Sequence, residues 1–335
     1  RDAFNGPLQN GHAALSCGDF ITRKSQLDCV AGEAGGYAYL YSDYNNSLAD
    51  QDYRFDIVPS FEFLVNEGRR IVPFCLDFEE NNVFGCFFGG ENGKVYYSQN
   101  TGHEGVFTTA VLSSPSTIML TEEEYAAPFC ADFDGDQDID CIIGWDSESS
   151  SSTGVQYWEN DCGSRYCTMS FAQRGVDLGM TAMSWSSSNE FFGTAFNANI
   201  RFPKPFCIDM DEDGDLDCLV GDADGKVHYI RNDGDTSAPS WTYITSNYFE
   251  SDVGGFASLY CGFGKSNFDV DDSEVEVHCL VGNEKGYVQR FKKTNRVSHS
   301  PSFTPTALPT IIPSAMPSIS PTSVPTTNPT LLPSA

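Results

Sequence analysis

The sequence predicts an all-β chain: a β-propeller of about five four-stranded blades over residues 1–300, then an extended, polyproline-II-like tail over 301–335. Three observations predict it. A loop flanked by two cysteines recurs five times along the chain. Each copy is followed by a short apolar run with a glycine, then a turn and another strand-like segment. From Pro301 onward a proline falls at every fourth residue, which neither a helix nor a central strand tolerates.

The five copies are Cys17 to Cys29, Cys75 to Cys86, Cys130 to Cys141, Cys207 to Cys218 and Cys261 to Cys279, with first cysteines 58, 55, 77 and 54 residues apart. Cys86-Phe87-Phe88-Gly89-Gly90 and Cys279-Leu280-Val281-Gly282 show the apolar run that follows. Asn92-Gly93 and Asp224-Gly225 then mark hairpin turns, and Val95-Tyr96-Tyr97 and Val227-His228-Tyr229-Ile230 mark the next strands. No amphipathic helical period longer than two turns stands out. A unit of about four short strands cannot bury both its faces alone, and radial repetition solves that problem.

The sharpest copy is Cys207 to Cys218, with aspartates at alternate positions: Asp209, Asp211, Asp213, Asp215 and Asp217. So dense an acidic run repels itself unless a cation sits among the carboxylates. A tight loop of oxygens suits Ca2+, which takes six to eight oxygen ligands in flexible geometry. Asp132, Asp134, Asp136, Asp138 and Asp140 repeat the pattern, so two calcium sites are expected. The plainer alternative is a solvated acidic turn.

This pattern resembles the FG-GAP or VCBS repeats of integrin α-subunit propellers and many secreted proteins, over about residues 12–300. Their signature is an Asp-x-Asp-x-Asp-Gly-x-x-Asp loop between two strands. The resemblance implies side-chain ligands at Asp132, Asp134, Asp136 and Asp140, and at Asp209, Asp211, Asp213 and Asp217. It puts backbone carbonyls at Asp138 and Asp215. The first loop departs from the pattern by carrying Gly135 at the fourth position and Gln137 at the sixth. The copy at 75–86 keeps Asp77, Glu79 and Asn81 but has Gly85 where the last carboxylate belongs, so a weak site or none is expected there. The first and fifth copies differ in length and read as structural loops.

The cysteines depart from most of that family. They sit two residues before the first ligand and directly after the last, positions that face each other in a hairpin curled around an ion. Disulfides 17–29, 75–86, 130–141, 207–218 and 261–279 are therefore expected, each contributing about 2–3 kcal/mol. Cys162 and Cys167 remain and are expected to pair with each other. A zinc site is the alternative. It fails because the cysteines are spread by repeat and His12, His103, His228, His278 and His299 do not cluster with them.

Composition narrows the setting. The 335 residues hold 19 basic and 47 acidic side chains, a net charge of −28, which excludes a nucleic-acid binder. Twelve cysteines point to an oxidising compartment, hence a secreted or cell-surface protein. No targeting signal is read at Arg1, so secretion is inferred from the cysteines alone. No apolar run is long enough to predict a membrane span.

Between the third and fourth copies lies an insert, 162–206, with Met180, Met183, Trp185, Phe191, Phe192, Phe196 and Phe202. It reads as an elaborated outer strand and loop with aromatics in the core, or as an interaction surface. It is also where a degenerate sixth blade could lie. Asn45-Asn46-Ser47 is a sequon for N-glycosylation.

In the tail, Pro301, Pro305, Pro309, Pro313, Pro317, Pro321, Pro325, Pro329 and Pro333 are each followed by Ser or Thr. Those residues, Ser302, Thr306, Thr310, Ser314, Ser318, Thr322, Thr326, Thr330 and Ser334, are candidate O-glycosylation sites, and the prolines are candidates for hydroxylation and glycosylation. The tail resembles the Pro-Thr/Ser repeats of algal, especially stramenopile, surface proteins and of sugar-coated extracellular fibrils. Apolar pairs such as Ile311-Ile312 and Leu331-Leu332 would gain nothing in a solvated linker. The favoured expectation is therefore a structural subunit of an extracellular glycosylated filament or coat, self-associating through its tail. The alternative is an adhesion or carbohydrate-binding propeller on a glycosylated stalk. An enzyme is not expected: there is no nucleophile motif, and the alternating carboxylates are better used as calcium ligands than as an acid/base pair.

Overall fold

The computed structural model describes residues 8, 10–18, 20, 28–43, 55–64, 69–77, 84–99, 116–121, 124–149, 152–160, 171–173, 191–192, 199–236, 238–251, 253–264 and 274–296. Asn45, Cys162, Cys167, Met180, Met183, Trp185, Phe196, Glu79, Asn81 and the whole tail 301–335 lie outside the described residues.

The described strands form five antiparallel sheets within one compact unit, Arg1–Ser298. Blade one is β1 (Ala14–Gly18), β2 (Asp28–Gly32), β3 (Tyr37–Asp43) and β4 (Phe55–Leu64). Blade two is β5 (Val72–Leu76), β6 (Gly85–Gly89), β7 (Lys94–Ser98) and β8 (Ser116–Leu120). Blade three is β9 (Ala127–Ala131), β10 (Asp140–Ser147), β11 (Ser152–Asn160) and β12 (Phe171–Gln173). Blade four is β13 (Lys204–Ile208), β14 (Asp217–Gly221), β15 (Val227–Asn232) and β16 (Trp241–Thr245). Blade five has three described strands, β17 (Ser258–Gly264), β18 (Glu274–Gly282) and β19 (Val288–Arg296). This is the all-β, five-bladed propeller expected from the sequence, with four strands in most blades. The insert forms no separate sheet among the described residues. It supplies β12, and Phe191 and Phe192 pack against Trp241 and close the core between blades three and four.

The first strand of each blade is innermost. β1, β5, β9, β13 and β17 contact one another in cyclic order, so blade five returns to blade one. One side chain per blade stacks around the axis. Phe74 meets Phe129 at 5.0 Å, Phe129 meets Phe206 at 5.2 Å and Phe206 meets Tyr260 at 5.6 Å. Ser16 takes the fifth place, its Oγ accepting the Cys75 amide at 2.8 Å. These inner strands leave an axial cavity of only about 20 Å³. Pro73, Pro128 and Pro205 sit on them because an innermost strand has an unpaired edge that needs no amide donor.

A glycine three residues after each second cysteine joins the blades. A Cβ on Gly32, Gly89, Gly144, Gly221 or Gly282 would press on the carbonyl of Ile71, Ala126, Pro203, Ala257 or Ala13, closer than real Cβ atoms come. Each carbonyl belongs to the residue just before the next inner strand. The last contact joins blade five to blade one, and there the Leu8 amide also donates to Gly286 O at 3.0 Å.

Disulfides Cys17–Cys29, Cys75–Cys86, Cys130–Cys141, Cys207–Cys218 and Cys261–Cys279 link the two innermost strands of every blade. In each the paired residues are directly opposite in the ladder, with Cα atoms 4.0–4.1 Å apart. This is the narrow, non-hydrogen-bonded kind of antiparallel pair. Replacing both Cys207 and Cys218 by alanine is expected to cost about 2–3 kcal/mol. Urea unfolding of the calcium-loaded variant checks this; an unchanged midpoint would make the bridge thermodynamically silent.

Candidate functional site

The two acidic loops occupy the far ends of inner strands β9 and β13. In each, even-numbered loop positions anchor the turn: Phe133 and Met210 are buried in the core, and Ile139 and Leu216 pack against it. Odd positions therefore turn their carboxylates together. Oxygens of Asp132, Asp134 and Asp136 lie within 4.8 Å of one another, as do those of Asp209, Asp211 and Asp213. With Ca–O distances of about 2.3–2.6 Å, one ion can touch all three oxygens of such a set.

Backbone amides shape the loops. Asp132 accepts from Gly135 N at 2.7 Å and Gln137 N at 3.2 Å, and Asp209 accepts from Asp213 N and Gly214 N, both at 3.1 Å. Both loops are left-handed at the fourth and sixth positions. These are Gly135 (φ 81°) and Gln137 (φ 77°) in one, and Glu212 (φ 58°) and Gly214 (φ 99°) in the other. The swapped glycine noted in the sequence therefore leaves the turn unchanged.

The expected ninth-position ligands also hold their blades together. Asp140 is buried and accepts from the Tyr157 hydroxyl at 2.7 Å and Asn160 N at 2.9 Å. Asp217 accepts from Asn232 N at 2.8 Å, the Tyr229 hydroxyl at 3.0 Å and Met210 N at 3.2 Å. Asp28, at the same position of blade one, does likewise with Phe20 N and the Ser42 hydroxyl. These three carboxylates tie each loop to its blade's third strand. Neither Asp140 nor Asp217 belongs to the clustered triplets. Asp138 and Asp215, expected to lend carbonyls, are both buried. Asp215 is 5% exposed and its Oδ1 has no hydrogen-bond partner; Asp211 Oδ1 has none either.

These acids crowd one another. Burial, ahead of mutual repulsion, raises Asp134 to about 6 and Asp215 to about 7, and raises Asp209 and Asp211. Burial also lifts Asp140 to about 8 and Asp217 to about 7, against the pull of their hydrogen bonds. A cation among the triplets would relieve that cost, and the unpartnered oxygens fit one.

The near ends of the inner strands carry a second constellation that sequence reasoning missed. His12, Arg70, Tyr125, Phe202 and Phe256 each stand two residues before an inner strand, and so five before the blade's first cysteine. They form a ring. Phe202 lies 5.1 Å from Phe256 and 5.3 Å from Tyr125, and His12 lies 6.1 Å from Phe256. The Arg70 guanidinium sits 4.5 Å over the Phe256 ring and 5.5 Å from Phe202. Four of the five are left-handed: His12 (φ 57°), Arg70 (φ 51°), Phe202 (φ 51°) and Phe256 (φ 58°). This conformation costs non-glycine residues energy and clusters at functional sites. Asp146 holds Phe202 in it, accepting Phe202 N at 2.9 Å while pairing bidentately with Arg201.

Beneath the ring Lys204 is buried, its ammonium donating to Phe256 O at 3.1 Å. His12 Nε2, Tyr125 Oη and Arg70 Nη1 are buried without partners. Beside Arg70 opens a cleft of about 460 Å³ lined by Asn10, Ala34, Gly35, Arg69, Arg70 and Glu91.

No protein-family model matches the chain. No curated protein matches it either. Solved structures similar to it include a Bacteroides ovatus xyloglucan-locus GH43B protein, at 11% identity and TM-score 0.45, covering 87% of this chain and 54% of that one. The chain thus spans about half the length of that protein. A GH43_1 enzyme from Xanthomonas citri matches at 10% identity and TM-score 0.45, covering 87% of this chain and 89% of that one. The SapL1 lectin, solved with α-methyl fucoside, matches at 12% identity and TM-score 0.43, covering 85% and 81%. Likeness this distant assigns no substrate. It does correct one expectation: with GH43 glycoside hydrolases among the similar structures, the chain can no longer be set aside as a non-enzyme.

Proposed function

We propose that this chain is an extracellular carbohydrate-binding propeller whose acidic loops hold two calcium ions at one end and whose ligand site lies on the axis at the other. One observation carries the binding part: the axial ring places aromatic faces beside buried polar atoms that have no partner in the protein. A spacer bead gains nothing from such a centre, whereas an aromatic wall with a few convergent polar groups is what a small-molecule site requires. Five disulfides support an oxidising compartment. The resemblance of the loops to FG-GAP loops, together with the unpartnered Asp211 and Asp215 oxygens, supports calcium. The filament reading depends on residues 301–335, outside the described part, and nothing among the described residues favours it.

A saccharide array probed with calcium-loaded full-length protein tests the reading, scored for retention and for cleavage of the bound sugar. Retention of a defined saccharide class is expected, and silence across the array would overturn it. Titration calorimetry is expected to count two calcium ions per chain, and Asp211→Asn to remove one of them. Two ions still bound by that variant would take the blade-four loop out of the calcium reading.

A further inference from the structure

The axial ring also states what kind of ligand it fits. In a chain of net charge −28, this centre gathers three basic side chains, His12, Arg70 and Lys204. Among the described residues no carboxylate pairs with Lys204, and the one paired with Arg70, Glu91, engages its Nε at 3.1 Å and leaves Nη1 unpartnered. Burial and the neighbouring cations hold both Lys204 and His12 well below their usual pKa values, a cost that an anion at the centre would lift. Burial keeps the Tyr125 hydroxyl protonated and so available as a donor.

We propose that the axial centre binds an acidic sugar, a uronate. Its carboxylate is received by Arg70 Nη1, the Tyr125 hydroxyl and His12 Nε2, and its ring lies against Phe202 and Phe256. This rests on the carbohydrate-binding reading above and adds the ligand's charge. A guanidinium edge matches a carboxylate in plane and in charge. Arg70 is also the part that moves to admit the ligand. It lies over the aromatic pair, its side chain is 27% exposed, it borders the 460 Å³ cleft, and a half-exposed pair with Glu91 holds it only weakly. His12, Arg70, Phe202 and Phe256, all with left-handed backbone, bring their side chains together in the ring.

The test uses calcium-loaded full-length protein with the methyl glycosides of glucuronic, galacturonic and mannuronic acids and the neutral hexosides of the same configuration. Titration calorimetry and saturation-transfer NMR are the readouts. At least one uronide is expected to bind about tenfold or more tighter than its neutral counterpart, the size of a charge-assisted hydrogen bond. Arg70→Met keeps contact with Phe256 and is expected to lose about tenfold in uronide affinity. Tyr125→Phe removes one hydroxyl and is expected to lose about threefold, with Tm unchanged or raised because that hydroxyl has no partner in the protein. Neutral hexosides binding as well as uronides would overturn the acidic assignment and leave the binding reading standing. Uronide binding untouched by both substitutions would place the ligand elsewhere and overturn this site. No binding by any saccharide would overturn both.

Discussion

Gly282→Ala is expected to destabilise the propeller by about 3 kcal/mol, the upper end of the range for an overpacked core position. The added methyl would press on Ala13 O and Cβ at the seam where blade five meets blade one. A linear repeat array could absorb a defect at one junction by fraying there. A closed ring cannot, because each blade is held on both sides. Gly262→Ala is the matched control. It lies in β17 of the same blade, with nothing within 4 Å of its would-be Cβ. That change is expected to be neutral or slightly stabilising, since it only restricts the unfolded chain. Thermal and urea unfolding of both variants with calcium and intact disulfides decides it. A Gly282→Ala midpoint within a degree of wild type would mean that the closing seam yields freely, and the ring-closure account would fail.

The cysteines made the blades legible because each pair marks two strands at once. The residue opposite Cys207 across the ladder is Cys218, so the loop between them and the pairing of the strands followed from one observation. The glycine three residues on was equally visible in Cys86-Phe87-Phe88-Gly89, although its purpose was not. That purpose is contact with a carbonyl of another blade, which no local pattern reports. Asp140 and Asp217 carry a second role that the sequence hides, since it shows them only as members of an acidic run. Their hydrogen bonds go to Tyr157, Asn160, Tyr229 and Asn232 on the third strand, partners that only the folded blade brings near. The axial ring was hidden by its chemistry. His, Arg, Tyr, Phe and Phe share no property that a repeat search scores, and only their constant offset of five residues before a cysteine could have exposed them.

Calcium and rising pH are expected to act on stability with opposite signs, and the curves of the loaded and calcium-free protein to converge in acid and part as pH rises. In the calcium-free protein, burial first and mutual repulsion second raise Asp140 to about 8, Asp215 and Asp217 to about 7 and Asp134 to about 6. All lie above the value near 3.9 of an unfolded aspartate, so the folded state binds these protons more tightly. Their contribution is then fully present below about pH 4 and is lost as pH rises through about 6 to 8. Calcium reverses the slope, since ligation requires ionised carboxylates and is lost as acid protonates them. At pH 8 and calcium near 100 times Kd, each site is expected to add about 2.7 kcal/mol. Two sites would raise Tm by roughly 8–9 °C for a chain of this size. At pH 5 the difference is expected to nearly vanish, with the dialysed, calcium-free protein more stable there than at pH 8. Calorimetric scans of the loaded and dialysed protein between pH 5 and 8 measure both slopes. Parallel curves would mean that no cation answers the crowded acids, and that the disulfides alone hold these loops closed.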